Sequence, residues 1–112
     1  MTAMTHADTP MPALDPEGFL VDPSEWTEEV AIALARIEGI VLGDDHWDAI
    51  RFMRRYYEEK QVAADARFVI RHLAQRLGPA AHRRLFELFP YGYPGQACRI
   101  AGMRRPRAWS TG

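Results

Sequence analysis

Apolar residues recur at helical spacing in four stretches of this chain. In the first, Trp26, Val30, Leu34 and Ile37 fall on one face. Asp22 is placed to cap that helix, Pro23 suits its first position, and Glu25 completes a capping box. Gly39 followed by apolar Ile40 predicts a left-handed C-cap. A second helix starts at Asp44 or Asp45 and ends near Lys60. Its stripe is Trp47, Ile50, Met53 or Arg54, and Tyr57, flanked by Phe52 and Tyr56. A third runs from Asp65 to Leu77 with Ala66, Val69, Ile70, Leu73 and Leu77 inward and Arg67, Arg71 and Arg76 outward; Gly78-Pro79 stops it. A shorter fourth carries Leu85, Phe86, Leu88 and Phe89.

The flanks read differently. Pro90-Tyr91-Gly92-Tyr93-Pro94-Gly95 holds two prolines and two glycines and is expected to break the helical pattern. One or two further helical turns over Gln96 to Ala101 would present Cys98, and Gly102 would end them. Leu14-Asp15-Pro16-Glu17-Gly18-Phe19-Leu20 places a turn between apolar residues and predicts a short hairpin. The expected fold is mostly α: a small helical bundle over 14–102, with a short N-terminal β-hairpin, a frayed segment over 1–13 and a flexible basic arm over 103–112.

Composition narrows the class. With 112 residues, 47% hydrophobic and 26% charged, the chain is an ordinary globular sequence of one domain. Its longest apolar run, Val30 to Ala35, is far short of the ~20 residues that cross a bilayer, so no membrane partner is expected. The single cysteine permits no internal disulfide and suits a reducing compartment, the cytoplasm. The net charge of −1 conceals a division. Residues 1–45 carry ten acids against Arg36 alone, whereas residues 46–112 carry five acids against thirteen bases. Four arginines and no acid follow from Arg99 onward, a composition that attracts phosphate or an acidic protein groove.

Cys98 is the one residue suited to covalent chemistry. The thiolate is the attacking form, and Arg99, Arg104, Arg105 or a helix N-terminus nearby would favour it; the competing reading is a small hydrophobe packed beneath the arm. Arg51, Arg54, Arg55, Arg67 and Arg71 are candidates for an oxyanion site, because guanidinium donates paired hydrogen bonds, or for a solvated face paired with Glu58 and Glu59. Trp26, Trp47, Phe52 and Tyr56 are expected in the core. His6, His46, His72 and His82 lack metal-ligand spacing, and His46 fits the cap of the second helix. No cofactor motif is found.

Asp15-x-x-Gly18-Phe19-Leu20, Trp26 with Val30-Ala31, Glu38-Gly39-Ile40 before His46-Trp47, and Arg51-Phe52-x-Arg54-x-Tyr56-Tyr57 follow one another in order. Arg67, Leu88-Phe89-Pro90 and Gln96-Ala97-Cys98-Arg99-Ile100-Ala101-Gly102 complete the series. In this order and spacing the chain resembles the DsrC/TusE family of sulfur-relay proteins over residues 14–107. The resemblance implies an orthogonal helical bundle similar to winged-helix domains. It also implies a C-terminal arm that docks on a sulfurtransferase, a sulfur-relay complex or a sulfite-reductase-like enzyme. In that family the penultimate cysteine of the arm carries a persulfide, and some members have a second cysteine upstream. Cys98 matches the upstream one, and Trp109 stands where the penultimate one is expected. Pro79 to Arg84 and Arg104-Arg105-Pro106 also depart from the family pattern. The candidate partner-binding residues are Arg99, Met103, Arg104, Arg105, Arg107 and Trp109. The alternative is a regulatory or nucleic-acid-binding module built on the second and third helices.

Overall fold

The computed structural model describes residues 11–104. Four helices of eight residues or more dominate them: α1 (Glu28–Ile37), α2 (Asp44–Lys60), α3 (Ala66–Leu77) and α4 (Ala81–Leu88). A π-helical turn over Tyr93–Ala97 then runs into a last short turn, α5 (Cys98–Ile100). In the order of packing, α2 lies on α3, α3 on α4, and α5 on α1. The mostly helical expectation holds. The hairpin is reduced to one antiparallel bridge between Leu14 and Leu20, closed by Asp15, whose carboxylate accepts from the N–H groups of Glu17 and Phe19.

The first helix begins later than its sequence suggests. Asp22 does cap a turn, accepting from the Ser24 N–H at 3.0 Å, but that turn is a 3-10 segment over Pro23–Glu25. Thr27 caps α1 itself by accepting from Val30 N–H at 3.1 Å. The break between them lets the Trp26 ring leave the α1 axis and reach the C-terminal turn of the domain. The buried face of α1 is Val30, Ala31, Leu34 and Ala35, and Ile37, expected inward, is 71% exposed. At the other end, Ile40 N–H donates to Ala35 O and Gly39 N–H to Arg36 O. With Gly39 at φ +80, this is the expected Schellman cap.

Neither Asp44 nor Asp45 caps α2; Gly43 occupies that position. The Gly43 N–H donates to His46 Nδ1 at 3.0 Å, which leaves the ring proton on Nε2 to donate to Leu88 O at 3.0 Å. His46 thus joins the α2 cap to the end of α4, and it meets Phe89 edge-on at 5.3 Å. Burial draws its pKa below the usual histidine value, against the pull of its bond to Leu88. Between α2 and α3, Phe52 stacks on His72 and Tyr56 on Phe68. Trp26, Trp47, Phe52 and Tyr56 are all half-buried, so they flank the core rather than fill it. Asp65, expected as the first residue of the third helix, is its N-cap and accepts from Arg67 N–H at 2.8 Å. On α4, Leu85 and Leu88 are buried, while Phe86 is half-exposed.

Candidate functional site: the turn that carries Cys98

The segment expected to interrupt helical structure does not do so throughout. Pro94 sits in the first turn of the Tyr93–Ala97 π-helical segment, where a missing N–H costs nothing. Gly92, at φ +105, starts it: its carbonyl accepts from Gln96 N–H at 2.9 Å. Cys98 then falls on the inner side of α5 and is fully buried. Its neighbour is Tyr93, whose hydroxyl donates to Ala64 O at 2.6 Å. Burial, with Cys98 close by, pushes the Tyr93 pKa strongly upward, so the phenol stays protonated and its donor stays on Ala64.

One turn further round, Glu38 gathers two groups of the same segment. Its Oε2 accepts from Arg99 Nε at 2.7 Å and its Oε1 from Gln96 Nε2 at 3.0 Å. Burial raises the Glu38 pKa, but those two donors outweigh it and hold the carboxyl below its usual value. Gln96 is fully buried, and its Oε1 accepts from Tyr91 N–H. Among the described residues no buried side-chain polar atom is left without a partner.

The turn after α5 is a second Schellman cap. Met103 N–H donates to Cys98 O at 2.9 Å and Gly102 N–H to Arg99 O at 3.1 Å, with Gly102 at φ +74. Met103 is carried back inside and is fully buried. Three carbonyls in succession are then tied from outside the turn. Trp26 Nε1 donates to Ile100 O at 3.0 Å. The Arg54 guanidinium donates to Ala101 O at 3.1 Å, to Gly102 O at 3.4 Å, and through its other nitrogen to Pro23 O at 3.0 Å. Arg54 also lies over the Trp26 ring at 4.7 Å. Burial draws its pKa down. Beyond the turn, Arg104 donates to Val21 O at 3.2 Å.

The five arginines considered for an oxyanion site do not share one location. Arg51 pairs with Glu28 at 3.2 Å and faces Trp47; Arg54 is committed to carbonyls. Arg67 pairs with Asp65 at 3.3 Å, Arg71 lies over Phe68, and Arg55 is exposed. Of the candidate partner-binding residues, Arg99 is held by Glu38, Met103 is interior, and Arg104 is exposed; Arg105, Arg107 and Trp109 lie outside the described residues. Sequence reasoning missed Tyr93 and Glu38 as neighbours of the Cys98 turn, and it missed Trp26 and Arg54 as its supports.

A family model described as DsrC like protein matches residues 7–108. The chain belongs to the DsrC-like family. It is 38% identical over 96 residues to the "Sulfurtransferase TusE" of Pectobacterium atrosepticum, a match covering 84% of this chain and 88% of the relative. Two solved DsrC structures share its fold, each at a TM-score of 0.78 and 38% identity. One is the oxidized gamma-subunit of the dissimilatory sulfite reductase from Archaeoglobus fulgidus, covering 87% of this chain and 90% of that one. The other is the NMR structure of Allochromatium vinosum DsrC, covering 90% and 92%.

Proposed function

We propose that this DsrC-like chain is a cytoplasmic sulfur-relay accessory protein that docks its C-terminal residues, from Arg104 onward, on a protein partner of sulfur metabolism. The observation that supports this reading best is the construction of the Cys98–Met103 turn. Tyr93, Glu38, Trp26 and Arg54, from four separate parts of the chain, all converge on the stretch that immediately precedes Arg104. Arg104, Arg105 and Arg107 with Trp109 suit a partner groove that is acidic with an apolar slot. The partner is a sulfurtransferase, a relay complex or a sulfite-reductase-like enzyme.

Sulfur carriage on Cys98 belongs to the same reading and requires the turn to open. The Cys98 thiolate attacks the terminal sulfur of a donor persulfide, and the donor S–S bond breaks with its electron pair leaving on the donor thiolate. Cys98 keeps the transferred sulfur, with no net oxidation. Burial of Cys98 favours a second reading, in which the chain docks without carrying sulfur and regulates or competes with a carrier. Incubation with polysulfide, followed by mass spectrometry of the intact chain and of Cys98→Ser, separates the two. An added sulfur that vanishes in the variant supports carriage, and an unchanged mass supports the regulatory form. Deleting residues 105–112 should abolish capture of the partner by the folded chain; retained capture refutes docking through this segment.

A further inference from the structure

Arg54 is a half-buried guanidinium for which no carboxylate among the described residues lies within ion-pair distance. Holding a guanidinium partly out of water with no ion-paired carboxylate is costly, and the carbonyls it caps belong to Pro23, Ala101 and Gly102, all three buried, so they need a donor from the protein. One side chain thus supplies donors to two parts of the main chain that are far apart in sequence. The planar fork reaches Ala101 O and Gly102 O from one nitrogen and Pro23 O from the other. The ring it covers, Trp26, takes Ile100 O and leaves no room for a side chain at Gly102. Three consecutive peptide planes are thereby fixed against the 21–23 segment, and Arg104 extends the seam to Val21 O. Fixing consecutive peptide planes fixes the direction of the chain beyond them.

We propose that Trp26 and Arg54 are positioning residues which set the direction in which the residues after Met103 leave the domain. They would thus act on partner docking without touching the partner. This rests on the docking reading above. A lysine at position 54 keeps the charge but offers a single nitrogen on a flexible stem, so it cannot span carbonyls on both sides of the seam.

The test does not require the partner. A nitroxide is attached to Ser110→Cys; buried Cys98 is protected from labelling under native conditions. Paramagnetic broadening of backbone amides over residues 11–104 is then recorded for the otherwise unaltered chain, for Arg54→Lys and for Trp26→Phe. With the clamp intact, broadening should be confined to one face of the domain. In either variant that confinement should be lost, while amide shifts in α2, α3 and α4 remain in place and show that the fold persists. Should Trp26→Phe fail to fold, Arg54→Lys decides alone. The same confined pattern in the variants overturns the proposal, as does unconfined broadening in the unaltered chain. If the variants lose confinement but the chain lacking residues 105–112 still captures its partner, the docking reading fails and the clamp stands.

Discussion

Replacing Gly102 with alanine should destabilise the domain by an amount that a second glycine calibrates. Gly102 and Gly39 occupy the same place in two Schellman caps, at φ +74 and φ +80. An L-residue in that region costs about 1–2 kcal/mol wherever it occurs. Their surroundings differ. A Cβ at Gly39 meets nothing within 4 Å, whereas at Gly102 it would lie 2.4, 2.8 and 2.9 Å from Cδ1, Cγ and Cβ of Trp26. Two of those atoms belong to a rigid indole and the third joins it to the backbone, so the contact cannot be relieved at a flexible tip. The indole must move, which strains its bond to Ile100 O and its stacking with Arg54. Overpacking of this kind costs about 1–3 kcal/mol. Gly39→Ala should therefore lose about 1–2 kcal/mol and Gly102→Ala about 2–5 kcal/mol. Urea unfolding followed by far-ultraviolet circular dichroism, with linear extrapolation, measures both. Equal losses in the two variants would refute the close contact between Trp26 and the turn.

Three further outcomes follow from the same site. Tyr93→Phe leaves the buried Ala64 carbonyl without its donor and should cost about 1–3 kcal/mol in the same assay; no loss would mean that water or a backbone shift replaces the hydroxyl. His46 is held neutral with a depressed pKa, so its contribution is complete above the unfolded value of 6.5 and is lost as pH falls from there through the folded pKa. An NMR titration that placed His46 at or above 6.5 would contradict this. Glu38 is a carboxylate with a lowered pKa, so its contribution is present above the unfolded value of 4.5 and is lost in acid. Glu38→Gln should accordingly flatten part of the acid limb of stability, and an unchanged limb would show that the Arg99 pair contributes nothing.

How much of this was legible in the sequence depended on whether the deciding contact was local. Asp65, Gly39-Ile40 and Gly102 act within a few residues of themselves, and their caps are where the residue types place them. Asp22 and Thr27 are equally good cap residues five positions apart, and nothing nearby chooses between them. The choice is made by Trp26, which must reach Ile100, 74 residues away in sequence. The α1 stripe shifts for a related reason: Ala31 and Ala35 barely register in a hydrophobic pattern, yet small side chains are what allow α5 to approach α1. Exposure of Cys98 was not legible either, because a run of arginines suggests an exposed tail while the Schellman turn folds Met103 back inside.

Arg54 offered the one signal of the clamp, since it shares a register with Met53 on the inward stripe of α2, where a charged residue has no place unless something there accepts five donors. In this domain the acceptors are main-chain carbonyls, which carry no residue-type signature. A sequence can thus show that such an arginine must have partners without showing which. Among the described residues the same limit explains Glu38: its place after Arg36-Ile37 reads as an ordinary helix end, and only the fold brings Gln96 and Arg99 to it. Supports of the Cys98 turn are therefore spread over residues 26, 38, 54 and 93, each with a plausible local role that conceals its distant one. The Cys98–Met103 turn is held by contacts of high sequence separation, so variants at those four positions, rather than at Cys98 alone, are the ones that should change its stability.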